Sequence, residues 1–142
     1  MAKEVKSEIL INAAPENVWS ILTNFEKYPN WNPFIQSLMG DVKVGNKISV
    51  RIVLPEAKGM TFHPKVLTYE TNKELKWLGH LLFTGLFDGE HKFELIDNGN
   101  GTTNFRHSEK FTGILVWMLN SETTKLGFEL MNTKLKELAE QG

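Results

Sequence analysis

The chain has no cysteine, which excludes disulfides and every thiolate metal site. It has no excess of one charge either. Sixteen lysines and arginines stand against 17 aspartates and glutamates, for a formal net charge of −1. The basic residues are spread along the chain, so nothing makes an electrostatic footprint for nucleic acid. There is no apolar run of the roughly eighteen residues that a membrane span needs, and none is expected. The opening stretch, Met1-Ala2-Lys3-Glu4-Val5, has no apolar signal region, so the expected location is the cytoplasm. HExxH, a nucleophile elbow and a phosphate-cradling glycine loop are also missing. Asn98-Gly99-Asn100-Gly101 reads as a turn.

What is present is ample for a core. The chain has 142 residues, of which 41% are hydrophobic and 11% aromatic. That length suits one domain, and no long loop or shift in composition divides it. A single domain over 1–142 is expected.

Val5 to Asn12 alternates and predicts a first strand, with Ser7, Ile9 and Ile11 on one face. Ala13-Ala14-Pro15-Glu16 marks a helix start, since proline suits the first helical position and an acid suits the positive end of the dipole. Val18, Trp19 and Leu22 give that helix its apolar face. Asn24 to Tyr28 allows one further turn, and Tyr28-Pro29-Asn30-Trp31-Asn32-Pro33-Phe34 should not continue it. Strands are expected at Ile35–Met39, Lys47–Leu54, Thr61–Tyr69, Glu74–Gly79, Leu86–Ile96 and Thr102–Thr112. The period then changes. Trp117, Ser121, Thr124, Phe128, Met131, Leu135 and Leu138 mark one face of a helix of about six turns. Gly127 in its middle costs about 1 kcal/mol relative to alanine. It either permits a close approach or is merely tolerated. The whole predicts an α+β fold: two short helices after the first strand, then a curved antiparallel sheet of about six to seven strands wrapped around a long C-terminal helix.

The most informative stretch is Phe105-Arg106-His107-Ser108-Glu109-Lys110-Phe111. Period-two alternation puts Arg106, Ser108 and Lys110 on the wet face. Phe105, His107, Glu109 and Phe111 then point inward. Buried ionisable groups are costly unless they are paired or meet water or a ligand, which points to a cavity with a polar patch on its wall. A hairpin centred on Gly99 sets His91 opposite His107, Phe93 opposite Phe105, Glu109 opposite Gly89 and Phe111 opposite Phe87. Opposed residues have Cβ atoms about 4.5–5.5 Å apart, and a bulge would break this register. Two histidines and one glutamate would then cluster among phenylalanines, with Gly89 leaving room beside the carboxylate.

The chain resembles the SRPBCC superfamily, also called START-like or Bet v-like, in its polyketide cyclase/dehydrase branch. The resemblance runs nearly end to end. Its carriers are Ile11-x-Ala13-x-Pro15-Glu16-x-Val18-Trp19, Tyr28-Pro29-x-Trp31-Asn32-Pro33-Phe34, Phe62-x-Pro64-x-Val66 and Leu75-x-Trp77. Gly89-Glu90-His91-x-Phe93, His107-x-Glu109-x-Phe111-x-Gly113 and the helix from Gly127-Phe128 to Leu135 complete it. The resemblance implies a helix-grip fold with an apolar cavity between sheet and C-terminal helix. Members bind lipids, sterols, hormones or polyketides, act as cyclases, or activate chaperones, so the fold does not fix the function.

Four readings of the polar cluster stay open. His91, His107 and Glu109 satisfy one another or buried water; they bind the oxygenated end of an apolar ligand; they are the candidate acid/base groups of a cyclisation or dehydration; or they hold a metal. The resemblance argues against a metal, and neither a metal nor a cofactor is expected. The leading expectation is binding of a small hydrophobic or amphipathic molecule, lipid-like, aromatic or polyketide-like. His91, His107 and Glu109 would meet its polar end. Trp77, Phe93, Phe105, Phe111, Phe128 and Met131 would line the apolar part. The alternatives are a cyclase or dehydratase using His107 or Glu109, and a protein-interaction or chaperone-activator module with an exposed patch near Leu81–Phe87. Asn32 is read as capping its turn, His63 as a surface residue, and Leu81–Phe87 as either a gate or a bent strand pair. A monomer or weak dimer is expected.

Overall fold

The structure is a computed structural model that describes residues 2–55, 57–81 and 84–141. Strand β1 (Ala2–Ile11) leads into helix α1 (Pro15–Leu22), a 3-10 turn (Phe25–Lys27) and helix α2 (Tyr28–Trp31). Strands β2 (Ile35–Met39), β3 (Ser49–Ile52) and β4 (Met60–Phe62) form a three-stranded antiparallel sheet. Strands β5 (Lys65–Glu70), β6 (Glu74–His80), β7 (Asp88–Asp97) and β8 (Thr103–Thr112) join β1 in a five-stranded antiparallel sheet of order β1-β8-β7-β6-β5. A second 3-10 turn (Val116–Met118) precedes the long helix α3 (Ser121–Gln141).

Helix α3 packs across β1 and β8 and against α1. It buries Thr124, Gly127, Phe128, Met131, Asn132, Leu135 and Ala139. This is the helix-grip arrangement that the sequence implies.

Five local expectations change. The stretch expected as one strand over Thr61–Tyr69 breaks at Pro64, and its halves lie in different sheets. Proline has no N–H to give a ladder; the Pro64 carbonyl instead accepts from the Ile48 N–H at 2.9 Å. The Gly45 N–H to Val66 and Val66 N–H to Asn46 bonds, both 2.9 Å, help join the two sheets at this corner.

Tyr28 is helical despite preceding Pro29, with φ −52° and ψ −42°. Proline falls in the first turn of α2, where its missing N–H costs nothing. The Tyr28 hydroxyl donates to the Leu22 carbonyl, and its ring meets Phe25 and Trp31 edge-on. Burial pushes the phenol far above its ordinary pKa.

The long helix starts at Ser121 rather than Trp117. Leu119 is extended, and Asn120 caps the helix, its Oδ1 accepting from the Thr123 N–H at 3.1 Å. Trp117 is exposed.

Ser108 lies on the outer face but is buried. It is flanked by Lys6 and Lys92 in the ladder, whose long stems shade its small side chain.

The β7–β8 register is shifted by two residues from one centred on Gly99. Asp97 pairs with Thr103, His91 with Glu109, Phe93 with His107, and Gly89 with Phe111. The connection is therefore the loop 98–102, centred on Asn100. Gly99 and Gly101 both have positive φ there (78° and 84°). Asn100 Oδ1 accepts from the Thr102 N–H and hydroxyl. A shift of two keeps every side chain on its own face, whereas a shift of one would invert them all.

Candidate functional site

Four elements bring polar side chains into the core. β1 supplies Ser7, β7 supplies His91, β8 supplies His107 and Glu109, and α3 supplies Asn132. In the ladder Ser7 pairs with His107, and His91 with Glu109. Ser7, His91, His107 and Asn132 are all buried, and the Glu109 side chain is 14% exposed.

The contacts form one chain. Ser7 Oγ lies 2.8 Å from the His107 carbonyl, and Asn132 Nδ2 lies 2.9 Å from Ser7 Oγ. Asn132 Oδ1 is 2.9 Å from His107 Nδ1. His107 Nε2 is 2.7 Å from His91 Nε2, and His91 Nδ1 is 2.9 Å from Glu109 Oε1.

A carbonyl can only accept, so its partner fixes the direction of every bond that follows. Ser7 donates to the carbonyl and therefore accepts from the Asn132 amide. The Asn132 oxygen then accepts from His107 Nδ1–H. Burial, with His91 alongside, pushes the His107 imidazole well below the ordinary histidine range. Neutral His107 leaves its Nε2 as an acceptor, which takes the His91 Nε2–H. The last contact, between His91 Nδ1 and Glu109 Oε1, then holds one proton. Either Glu109 is a neutral acid donating to His91, or His91 is an imidazolium donating to a carboxylate. The pair carries no net charge in both cases.

Aromatic rings close around this chain. The His107 ring stacks on Phe128 with centroids 4.1 Å apart. His91 stacks between Trp77 at 5.5 Å and Phe34 at 5.8 Å. Phe34 is held by the turn before β2, where Asn32 Oδ1 accepts from the Phe34 and Ile35 N–H groups. Asn32 thus caps its turn as expected.

At the Glu109 end the chain meets a cavity of about 280 Å³. It lies mainly between the two sheets and is lined by Phe34, Val50, Leu54, Phe62, Pro64, Trp77, Gly89, Glu109 and Phe111, among others. Helix α3 contributes Thr124, and Leu119 stands just before it. The rim includes the exposed Lys58, Met60 and His80. Of the residues expected at a ligand, Trp77, Glu109 and Phe111 are on this wall. His91, His107, Phe93, Phe105, Phe128 and Met131 sit in the core, outside the lining. His63 is exposed, and His80 Nδ1 pairs with Asp88 at 2.8 Å. Among the described residues, no group of three His, Cys, Asp or Glu is placed to hold a metal, and no helix is long and apolar enough to cross a membrane.

Glu109 Oε1 is taken by His91, while Oε2 has no hydrogen-bond partner among the described residues. Gly89 makes the room for that oxygen: a β-carbon there would stand 2.3 Å from Oε2. Gly127 has a similar purpose on α3, where a β-carbon would lie 3.0 Å from both Phe34 and Leu54.

Ser7 and Asn132 are the site residues that the sequence reading passed over. Ser7 stands on the inward face of β1, a polar residue among Val5, Ile9 and Ile11. Asn132 lies four residues after Phe128 and three before Leu135, inside the buried stripe. A polar group at such a position is a cue for a buried partner. The patch expected at Leu81–Phe87 includes residues 82 and 83, which lie outside the described residues. Exposed apolar side chains do occur at Ile114, Trp117 and Met118.

Solved structures share this fold. A protein from Mesorhizobium loti is 22% identical, with a TM-score of 0.74 and 98% of each chain covered. A START superfamily protein from Mycobacterium smegmatis is 19% identical, with a TM-score of 0.73 and 97% of each chain covered. A norcoclaurine synthase point mutant from Thalictrum flavum, in complex with a transition-state analogue, is 15% identical with a TM-score of 0.75; 99% of this chain and 96% of that one are covered. No curated protein matches the chain by sequence. Residues 2–140 match the family described as polyketide cyclase / dehydrase and lipid transport, and the chain belongs to that family, within the START-like, Bet v-like (SRPBCC) superfamily.

Proposed function

We propose that the protein binds a small apolar or amphipathic molecule in the cavity between the two sheets, with Glu109 meeting its polar end. The observation that carries this reading is the wall itself. A carboxyl group with one oxygen unpartnered among the described residues stands in a mostly apolar, aromatic lining, whose other polar side chains are Thr124 and, at the rim, Lys58 and His80, and apolar pockets with few convergent polar groups are what ligand sites look like. In this reading Trp77 and Phe111 contact the apolar body. His91, His107, Phe93, Phe105, Phe128 and Met131 hold Glu109 and Trp77 in place from behind.

The test fills the cavity. Val50 is fully buried and on the wall, so Val50→Phe should occupy the space while leaving the fold intact. Titration with para-pentylphenol, followed by tryptophan fluorescence, should show saturable binding to the wild type and none to Val50→Phe. Equal binding to both would overturn the reading.

A second reading, a cyclase or dehydratase, draws on the single proton between His91 and Glu109, which borders the cavity where general acid/base catalysis would need it. It requires that Glu109→Gln abolish turnover of a polyketide-like substrate without abolishing its binding.

A further inference from the structure

The direction of the buried hydrogen bonds decides what the cavity wall offers a ligand. With His107 Nδ1–H pointing to Asn132 and His91 Nε2–H pointing to His107, the proton at the far end lies between His91 Nδ1 and Glu109 Oε1. That proton stays on the Oε1 side in both of its placements. If Glu109 is a neutral acid, its O–H is Oε1–H and Oε2 is the carbonyl oxygen. If Glu109 is a carboxylate, Oε2 again carries only lone pairs. The oxygen beside Gly89 is therefore an acceptor in either state and never a donor. A ligand group that can only accept, such as an ether or a carboxylate, would face lone pairs with lone pairs. The pair also carries no net charge, so an ionised ligand group buried against Glu109 would find no counter-charge there, the Lys58 ammonium standing out at the exposed rim.

We infer that the cavity selects an uncharged apolar molecule bearing a hydroxyl group, alcoholic or phenolic, whose O–H is donated to Glu109 Oε2. The inference rests on the reading of the cavity as a binding site and narrows its ligand class. His91, His107, Asn132 and Ser7 act as positioning residues, because they fix which side of the carboxyl group holds the proton.

The experiment compares para-pentylphenol, its methyl ether para-pentylanisole, and para-pentylbenzoate at neutral pH by isothermal titration. The phenol should bind about tenfold more tightly than the ether, the order expected when a buried acceptor gains or loses its donor, and the benzoate should not bind. Glu109→Leu should bind phenol and ether alike. Glu109→Gln should keep the preference to within about threefold, because its amide can donate to His91 Nδ1 and leave its oxygen facing the cavity. Equal binding of phenol and ether to the wild type would overturn this inference while leaving the binding site standing. A preference that survives Glu109→Leu would place the acceptor elsewhere, and one lost in a folded Glu109→Gln would refute the direction of the chain. If neither phenol nor ether binds, the binding-site reading fails, and the inference falls with it.

Discussion

His91 and His107 bring their Nε2 atoms to 2.7 Å although the two residues are not paired in the β7–β8 ladder. Each is instead paired with a neighbour of the other: His91 with Glu109, and Phe93 with His107. The diagonal leaves each ring's second nitrogen free to bond in a different direction, His91 toward the cavity and His107 toward α3. A directly opposed pair would have had less freedom to do so.

Asn132 links Ser7 to His107 in this chain, so Asn132→Leu should strand both the His107 Nδ1–H and a Ser7 lone pair in the core. Each buried group left unpaired costs about 1–3 kcal/mol. Urea unfolding should show a loss in that range or somewhat above it. An Asn132→Leu variant as stable as the wild type would contradict the account.

The histidine at the centre makes stability depend on pH. His107 stays neutral in the fold because its pKa is lowered by burial, while in the unfolded chain it gains a proton as pH falls through about 6.5. The unfolded state then binds more protons than the folded one, so stability falls as the medium becomes more acidic. The contribution is intact above about pH 6.5 and declines below it by up to about 1.4 kcal/mol per pH unit. Unfolding free energies measured from about pH 7 down to about pH 5 should fall more steeply for the wild type than for His107→Phe. Parallel profiles would sink this prediction.

Gly89→Ala tests the carboxyl position. Its backbone is extended within β7, so alanine is strained only through its β-carbon, 2.3 Å from Glu109 Oε2. The carboxyl group must swing away and weaken its bond to His91. Imidazole nitrogen NMR should show the His91 Nδ1 resonance displaced, with the Asn132 amide nearly unmoved. The stability loss should be about 1–2 kcal/mol.

Gly127→Ala sets helix propensity against space. Alanine favours the helix by about 1 kcal/mol, but the new methyl group would stand 3.0 Å from both Phe34 and Leu54, and Phe34 is wedged against the Phe128 and His91 rings. Overpacking of a tight core costs about 1–3 kcal/mol, so a net loss of thermal stability is expected. A raised Tm would show that Phe34 can yield.

The inward face of β8 was legible in the sequence because alternation is a strict period: His107 and Glu109 had to share the side of Phe105 and Phe111. His91 followed from the same rule on β7. The register was not legible, because Asn98-Gly99-Asn100-Gly101 holds two glycines fit for positive φ and composition does not choose between the turn centres. Asn132 escaped because the 4, 3, 4, 3 spacing selects one residue per turn, while a buried helical face is wider than that. The break at Pro64 escaped because Phe62, Pro64 and Val66 alternate well across it. Periodicity reports which face a side chain takes and is silent about which strand its backbone joins.

That break also explains why the domain keeps a space between its two sheets. An imino acid that cannot donate makes the chain leave one sheet for another, and two sheets parting from a shared corner enclose a wedge. Pro64 stands at the vertex and on the wall of the wedge at once. The void is thus a product of backbone geometry. Side-chain changes along its walls, Val50→Phe among them, can fill it, but they leave the two sheets parting at a residue that has no hydrogen to give a ladder bond.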